Sequence, residues 1–542
     1  MLSDDESPFK PQPRVSPDAP TFFLPTTRAG TMIMPKVSRP AGPAEEAGPA
    51  PDAPVGRRFP WWQQLLAFLL PAVVMFTVGW QGLSGRQLWN DEHATWHAAT
   101  VDWDAFTRLL DRIDRVLALY YLFMRGWVAL LGDTPTSLRL PSLIAMAAAA
   151  GLTALVGQRL LGTPAGLVAG LVFAVIPGVS RYAQEARPYA FAVAAAVLAT
   201  LLLLLALDRP RWPWWFAYSA AVALTAYFHI VAVLVLVPHV LLAWLRYQRS
   251  ERDVRLWKFL GALGLITAAV MPLAYTGSGQ SGAIEWIKAD RAAVVELPMR
   301  LFGSYPVALA VCATALVGIP LLAVLRNRGV TAALVAWAVF PPVFTLATFP
   351  LLHLFLFRYL LFTLPAWALL AAGALHGASR LLFRRAWPQL LIAVGALPAL
   401  ALLTLPTQQE LRGPLVDGEP DYRAAAEVIS ANLRPGDGVI FAGRTRPPRM
   451  GMAYQMRDVP RPDDILLVRS AAEIGDFGVE ECPVTLPCLV NRDRIWVVST
   501  SYSREAFAEM AEERAATLNR LYQVEQESAF TRIHVHLLVP RR

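Results

Sequence analysis

Long apolar stretches alternate with short polar connections from residue 62 to residue 405. The stretches 192–207 and 230–242, for example, contain no Asp, Glu, Lys or Arg. A helix needs about 20 mostly apolar residues to cross a bilayer. The pattern predicts eleven such helices, at 62–83, 138–160, 163–180, 189–207, 213–229, 230–246, 257–275, 305–325, 329–350, 358–379 and 388–405. The sequence therefore predicts an α-helical polytopic membrane domain over residues 61–405.

Basic residues predict the orientation of this domain. If the N-terminus is cytoplasmic, every predicted inner connection is basic, with Arg159, Arg209, Arg246, Arg326 and Arg380 among its residues. This pattern satisfies the positive-inside rule. The apolar segment 117–131 is short and has Arg125 in its middle, and counting it as a span would place the basic clusters outside. Residues 103–131 are therefore predicted to lie on or dip into the outer surface, within a long first outer loop, 84–137.

Composition supports a membrane protein: 55% of the residues are hydrophobic and the mean hydropathy is +0.41. A net charge of +8 could suggest a nucleic-acid partner. Because the basic residues fall in predicted inner loops, we expect no nucleic acid. Residues 1–60 are rich in Pro, Ala, Gly, Ser and acidic residues and lack an apolar core, so we expect a disordered cytoplasmic segment and no cleavable signal peptide.

Residues 406–542 are predicted to form an α/β domain. Helices are expected at 421–433 and 503–518, and strands at 439–442, 494–499 and 532–539. An odd number of spans places this domain outside the cytoplasm, at the plasma membrane. Cys482 and Cys488 would there be able to form a disulfide; without that placement, two free thiols are an equal alternative.

Three charged clusters fall on the predicted outer side. Asn90-Asp91-Glu92 follows the first span. Paired carboxylates beside a bilayer are costly unless they are solvated or paired, which indicates a functional site. The alternative is an ordinary solvated loop that happens to contain two acidic residues. Residues 181–189 read Arg-Tyr-Ala-Gln-Glu-Ala-Arg-Pro-Tyr. Arg181 and Arg187 in this run break the positive-inside rule, so Glu185 is expected to meet one and a phosphate the other; a snorkelling turn is the alternative.

The third cluster contains His353, Arg358 and Tyr359. Arg358 interrupts the apolar run 351–364. An ionisable residue at such a position indicates function, and a helix-end anchor is the alternative. Because the predicted topology places all three clusters on one face, the sequence suggests transfer of a group from a phosphate-bearing donor.

Several short motifs occur in a distinctive order: Leu88-Trp89-Asn90-Asp91-Glu92, Leu119-Tyr120-Tyr121, Arg139-Leu140-Pro141-Ser142, Gln184-Glu185-Ala186-Arg187-Pro188-Tyr189 and Arg358-Tyr359. In this order they resemble the lipid-phosphate-sugar-dependent glycosyltransferases of the GT-C fold. These include protein O-mannosyltransferase-like enzymes and aminoarabinose transferases. The tail resembles that of actinobacterial members. The resemblance implies a GT-C-like helical domain with an extracytoplasmic α/β domain.

The resemblance also implies chemistry. The donor would be a polyprenyl-phosphate sugar, with mannose the expected sugar, and the acceptor a protein, glycan or glycolipid beside the bilayer. Asp91 would be the base of an inverting transfer, and Glu92 would orient Asp91 or the acceptor. Arg187 and Arg358 would hold the lipid phosphate. The other predicted substrate-binding residues are Gln184, Glu185, Tyr189 and Tyr359 from these motifs, and His353 from the third charged cluster.

One motif departs from the family pattern. Many members have Asp-x-His-Pro-Pro before Leu-Tyr-Tyr, whereas this chain has Asp114-Arg115-Val116-Leu117-Ala118. The missing histidine puts the acceptor loop and any metal it would hold in doubt, so no cofactor is assigned and a divalent metal is left open. Two other classes remain: a transporter or flippase of lipid-linked sugars, and a sensor or scaffold whose tail binds a wall component.

Overall fold

The computed structural model describes residues 59–248, 254–324, 328–382, 386–416, 418–443, 445–489, 492–500 and 503–541. The expected disorder of residues 1–60 lies outside these residues, except at Phe59 and Pro60. Several predicted inner-loop arginines, Arg326 among them, also lie outside.

The described residues between 59 and 416 are mainly helical. Its α-helices are α1 Trp61–Trp80, α2 Asn90–Thr100, α3 Trp103–Arg112, α4 Ala118–Leu131, α5 Pro135–Leu161, α6 Thr163–Val175, α7 Pro177–Ala183, α8 Tyr189–Asp208, α9 Trp212–Phe228, α10 Leu236–Tyr247, α11 Val254–Ser278, α12 Arg291–Phe302, α13 Tyr305–Leu322, α14 Arg328–Ala347, α15 Phe349–Leu352, α16 Leu364–Leu382 and α17 Ala386–Glu410. Short 3₁₀ segments occur at Arg115–Leu117, Ile230–Val235, Ser281–Ile284 and Phe357–Thr363.

Within the described residues, eight helical segments are long and apolar enough to cross a membrane, and the α6–α7 pair, bent by 65°, would make nine. The two other predicted spans, 213–229 and 388–405, correspond to α9 and α17, which are not among these nine. The protein is therefore a multi-span membrane protein, and the count of eleven stays a prediction. Helix α4 has 14 residues and is not among the candidate spans, as expected from its length and Arg125.

Small residues bring helices of the bundle together. A Cβ atom on Gly157 of α5 would lie 2.6 Å from the Cα atom of Gly166 in α6, so only glycine fits at this crossing. Close approach through small residues is a usual way for membrane helices to pack, because lipid provides no hydrophobic driving force between them. Helix α5 begins at the N-cap Thr134, whose hydroxyl accepts from the Ser137 amide, and ends at Gly162, which has φ 101°.

The C-terminal part combines helices with a mixed sheet. Its elements are α18 Tyr422–Asn432, β1 Gly438–Ala442, α19 Arg446–Gln455, β2 Asp463–Asp464, β3 Leu467–Arg469, α20 Ala471–Ile474, β4 Glu480–Glu481, α21 Thr485–Cys488, β5 Ile495–Ser499, α22 Glu512–Leu521, β6 Tyr522–Phe530 and β7 Ile533–Pro540. The main sheet has the order β2-β1-β5-β7-β6. Strand β1 pairs in parallel with β2 and β5, with Gly438 opposite Ile495, while β7 runs antiparallel to β5 and β6.

The sequence located four of these elements and misplaced another. The predicted helix at 503–518 is wrong in its first half, because the helix begins only at Glu512. The residues before it form turns that place Phe507 and Met510 against the apolar layer under the sheet. Strand β6 was not predicted, although it forms a hairpin with β7. Cys482 and Cys488 form a disulfide, as expected.

The orientation of the bundle is open to a direct test. With an odd number of spans and a cytoplasmic N-terminus, we expect residues 406–542 outside the cytoplasm. A reporter that fluoresces only in the cytoplasm, fused after residue 542, should stay dark, while a fusion after Arg246 should be bright. A bright C-terminal fusion would mean that the number of crossings is even.

Candidate active site at one end of the helix bundle

A buried ion pair joins the first loop (residues 84–137) to the helix bundle. Nε and Nη2 of Arg139 in α5 each donate to an oxygen of Glu92 in α2 at 2.7 Å. The two side chains are 1% and 0% exposed. Burial alone would raise the pKa of Glu92, but the charge and hydrogen bonds of Arg139 hold it below its usual value. Glu92 is therefore ionised, and both of its carboxylate oxygens already accept hydrogen bonds.

The same carboxylate positions the motif at residues 184–189. The amide of Ala186 donates to Oε1 of Glu92 at 2.9 Å, and the Thr95 hydroxyl donates to the Ala186 carbonyl at 2.9 Å. The hydroxyl of Ser142 in α5 donates to the Arg187 carbonyl at 3.3 Å. Three motifs that are distant in sequence thus meet at one end of the bundle.

Asp91 faces two arginines. Its Oδ2 atom lies 3.5 Å from Nη2 of Arg358 and 3.9 Å from Nε of Arg187. Nη1 of Arg187 also donates to the Asp91 carbonyl at 3.3 Å. The Asp91 side chain is 27% exposed, and the arginine side chains are 11% and 13% exposed. One half-buried carboxylate thus faces two positive charges, and this arrangement can accept a further anion.

Nitrogen atoms of both arginines remain available for that anion. Nε of Arg187 and Nε of Arg358 are buried and donate no hydrogen bond within the described residues. Burial lowers the pKa of Arg187, but the combined electrostatic effects of Asp91, Tyr121, Tyr189 and Asp114 outweigh it and raise the pKa well above its usual value. Arg187 is therefore a permanent cation with unused donors, which suits recognition of phosphate.

Aromatic rings hold the Arg358 guanidinium. Its carbon lies 5.8 Å from the centre of the Trp89 ring and 5.4 Å from that of Trp286. Contacts at such distances attract a cation to the ring face. Trp89 precedes the Asn90-Asp91-Glu92 motif, whereas Trp286 comes from the connection between α11 and α12. The rings fix the arginine in place, with Nη2 facing Asp91 and Nε without a hydrogen bond in the described residues.

A second aromatic group lines the site beside Arg187. The guanidinium of Arg187 lies 5.9 Å from the Tyr189 ring. The Tyr359 ring lies 6.4 Å from Tyr189 and 4.4 Å from His229, and Nδ1 of His229 is buried without a partner in the described part of the chain. Tyr189 and Tyr359, both named from sequence, are therefore brought together.

Asp114 lies on the first loop, near Arg187. Its Oδ2 accepts a hydrogen bond from the Tyr121 hydroxyl at 2.8 Å, and its backbone has φ 58°. Burial raises the pKa of Asp114, while the nearby charge of Arg187 opposes that rise. A left-handed backbone is uncommon for residues other than glycine, and Asp adopts it more readily than most. The departure from the Asp-x-His-Pro-Pro pattern thus leaves its first residue close to the site.

Three residues named from sequence have other contacts. The side-chain Nε2 of Gln184 donates to the backbone carbonyls of Gly79 and Gln81, and these hydrogen bonds connect the motif to the end of α1. Glu185 pairs with Arg181 at 3.2 Å. His353 has φ 49°, and the ring contact described for it is with Phe349 at 5.0 Å; the structure does not bring it against Asp91 or the two arginines.

Sequence reasoning gave no role to several charged or aromatic residues near the site. Arg86 and Arg139 broke the positive-inside rule as Arg187 did, so that signal could have found them. Arg86 is 3% exposed, and burial, followed by the charge of Arg139, lowers its pKa to about 10. Trp286 and His229 lie in connections without a motif. Glu419, which accepts from Nδ2 of Asn90 at 3.3 Å, had no sequence signal at all.

The residues present do not fit a metal centre. Among the described residues, no group of three or more His, Cys, Asp or Glu side chains is arranged to hold a metal ion. The carboxylate nearest the centre, Asp91, faces two arginines, which would repel a cation. We therefore derive no step through a metal.

Charged groups of both signs thus lie half-buried at one end of a multi-helix bundle, in an arrangement that can receive an anion. The fold is shared with ArnT from Cupriavidus metallidurans. The apo crystal structure matches with a TM-score of 0.56 and 15% identity over 86% of this chain and 97% of that one. The crystal structure of the same protein bound to undecaprenyl phosphate matches with a TM-score of 0.54, the same identity and the same coverage.

A family match narrows the class further. Residues 118–275 match the family described as dolichyl-phosphate-mannose-protein mannosyltransferase. No curated protein sequence matches the chain. The matched segment covers less than a third of the chain, and together with the shared fold it makes the chain similar to membrane glycosyltransferases of the GT-C type.

Proposed function

We propose that this protein transfers a sugar, with mannose the expected one, from a polyprenyl-phosphate donor to an acceptor hydroxyl at the extracytoplasmic face of the plasma membrane. The observation that carries the proposal is the placement of Asp91 between Arg187 and Arg358. A base for the acceptor and two cations for a phosphate are thus side by side. The fold shared with a protein crystallised with undecaprenyl phosphate supports a lipid phosphate as the anion.

The reaction would be a single displacement. Asp91 removes the acceptor proton as the acceptor oxygen attacks the anomeric carbon from the face opposite the lipid phosphate. The bond between the anomeric carbon and the phosphate oxygen breaks, and its electron pair leaves on the phosphate. Arg187 and Arg358 stabilise that growing negative charge. The anomeric configuration is inverted, and the proton remains on Asp91 until it is released to water.

The arginine contacts also suggest an order of binding. Without donor, Oδ2 of Asp91 lies 3.5 Å from Arg358 and 3.9 Å from Arg187. A donor phosphate would compete for the same guanidiniums. The Asp91 carboxylate would then be free to turn towards the acceptor once the donor is in place. This favours a mechanism in which the donor binds before the acceptor loses its proton.

Glu92 has a different role in this proposal from the one suggested by sequence. Both its oxygens are occupied by Arg139 and the Ala186 amide, and its side chain is fully buried. It is therefore poorly placed to contact an acceptor. We assign Glu92 the task of holding α2, and hence Asp91, against the rest of the site.

The proposed function can be tested directly. Purified protein in lipid vesicles is incubated with polyprenyl-phosphate mannose labelled in the sugar, together with a solubilised extract of the native membranes as acceptor source. We expect label to pass to an acceptor and free polyprenyl phosphate to accumulate in equal amount. Label that crosses the vesicle membrane while still attached to its lipid would instead indicate a flippase.

Donor binding should depend on the shape of Arg187. Arg187→Lys keeps the charge but loses the planar pair of donors that fits a phosphate. Loss of a charge-assisted hydrogen bond should raise the KM for the lipid-linked sugar by roughly tenfold. The matched control is Arg300→Lys, because Arg300 is exposed and pairs with Glu296 on α12. An unchanged KM and rate in Arg187→Lys would leave Arg187 as an interfacial anchor.

A further inference from the structure

Among the described residues, two oxygen atoms beside the proposed base accept no hydrogen bond, and neither does Oδ2 of the base itself, which is held only by the longer ion pairs to Arg187 and Arg358. The two are Oδ1 of Asn90 and Oε2 of Glu419, and all three oxygens are buried. Asn90 and Glu419 are in direct contact, because Nδ2 of Asn90 donates to Oε1 of Glu419 at 3.3 Å. Leaving a buried polar atom unpaired is costly. The unpaired oxygens of Asn90 and Glu419, next to a base that takes the reacting proton, indicate a ligand with more than one donor.

Glu419 comes from the link segment (residues 418–421), between α17 and the C-terminal domain. The segment is held from both sides. On one side, Nε2 of Gln87 in the first loop donates to the Pro420 carbonyl at 2.6 Å. On the other, Nη1 of Arg532 donates to the Gly418 carbonyl at 2.9 Å, and Gly418 has φ 83°, which suits glycine. The position of Glu419 is thus fixed by the fold.

The charges around Glu419 make it a responsive group. Burial raises the pKa of Glu419 to about 7, the negative charges of Asp91 and Glu92 add to this, and the Asn90 hydrogen bond and Arg532 oppose it. Burial and the negative charge of Glu419 in turn raise the pKa of the neighbouring Tyr422. Glu419 therefore changes between a hydrogen-bond donor and a charged acceptor near neutral pH, within the range in which an enzyme operates.

We propose that Glu419 is an acceptor-binding residue of the active site, and that it accepts a hydrogen bond from a second hydroxyl of a glycan-type acceptor whose reacting hydroxyl faces Asp91. The proposal rests on the proposed function above. A sugar presents neighbouring hydroxyls that can satisfy several oxygens at once. A serine or threonine side chain presents a single hydroxyl and would leave at least two of the three oxygens unpaired.

A cation could also satisfy three oxygens, but the surroundings disfavour it. Asp91 lies within 4 Å of both arginine side chains, at 3.5 and 3.9 Å. Their positive charges would repel a metal ion, whereas hydroxyl donors carry no net charge. The hydroxyls of a glycan acceptor are therefore the better fit.

The experiment compares two soluble probe acceptors, octyl α-mannoside and a threonine-containing peptide, with polyprenyl-phosphate mannose as donor. Wild-type protein is expected to use the mannoside in preference to the peptide. Glu419→Gln keeps the size and the contact with Asn90 but loses the charge. It should raise the KM for the mannoside at least about tenfold and leave the donor KM and the kcat nearly unchanged.

The pH dependence provides a readout that a merely structural role would not change. In wild-type protein the mannoside KM should fall as pH rises from 6 to 8, because the ionised carboxylate is the stronger hydrogen-bond acceptor. Glu419→Gln should lose this dependence. Glu427→Gln on the exposed face of α18 is the matched control and should behave as wild type. Thermal unfolding of the intact protein would establish that Glu419→Gln is folded.

Each other outcome has a defined meaning. The assignment of Glu419 would be overturned if wild-type protein preferred the peptide, or if Glu419→Gln changed only the donor KM. It would also be overturned if Mn²⁺ stimulated the wild-type protein and not Glu419→Gln, because that would indicate a metal ligand. A wild-type protein that transfers no mannose to either probe or to the membrane extract would overturn the proposed function, and this role with it. Transfer to the extract with an unchanged mannoside KM in Glu419→Gln would overturn only the role of Glu419.

Discussion

Asp91→Asn is expected to lower turnover by at least about a hundredfold, the lower end of the loss when a positioned base is removed. The substitution keeps the size of the side chain but removes the oxygen that takes the proton. Donor binding should be unchanged or tighter, because the carboxylate that competes for Arg187 and Arg358 loses its charge. The measurements are kcat for mannose transfer and equilibrium binding of the polyprenyl-phosphate donor.

The control for this substitution is Asp104→Asn, on the exposed face of α3 in the same loop. It should leave both quantities unchanged. Asp91→Asn protein that transfers sugar at the wild-type rate would remove Asp91 as the base. A folded variant that transfers normally but binds donor poorly would instead place Asp91 on the donor side.

The largest effect on folding is expected from Glu92→Gln. It leaves Arg139 charged in a site where both side chains are almost completely buried. Breaking a buried ion pair by removing one partner costs about 3–5 kcal/mol, a large part of the 5–15 kcal/mol that is typical of folded domains. We therefore expect a clear drop in Tm and a low yield of folded protein. Activity per folded molecule should be affected much less.

Two further variants distinguish the stability effect of a buried ion pair from that of an exposed one. Glu296→Gln breaks an ion pair on α12 whose side chains are 41% and 43% exposed, and it should change stability by less than about 1 kcal/mol. Glu92→Leu combined with Arg139→Met should recover part of the stability, because no charge is left buried. Recovery should be incomplete, since Arg139 also donates to the carbonyls of Leu83 and Arg86. A wild-type Tm in Glu92→Gln would show that the pair is dispensable.

The helical pattern and the grouping of the candidate site residues were accessible from the sequence. Apolar length identified the helices, and the positive-inside rule grouped Asp91, Arg187 and Arg358 on one side, where the structure brings them within 4 Å. The rule works because charge is costly to move across lipid. It reports the side of the membrane on which a residue lies, and it does not report which side chains touch.

Side-chain partners separated by long stretches of chain were not accessible in the same way. Glu92 reads as a second carboxylate beside Asp91, and only packing reveals that Arg139, 47 residues away, occupies it. Glu419 lies 329 residues from Asn90 and belongs to no motif. The turns at residues 503–511 have a composition that suits a helix, but Phe507 and Met510 pack under the sheet instead.

The hydrogen bond from Gln87 to the Pro420 carbonyl determines where this protein should be joined to a related one in a chimera. A chimera joined before residue 411 would replace the C-terminal domain together with Glu419. A chimera joined after residue 424 would replace the same domain but keep Glu419 with its own first loop. Comparing the two would separate acceptor choice made by the folded domain from acceptor choice made by one carboxylate. The boundary visible in sequence, near residue 406, would therefore be the wrong place to recombine.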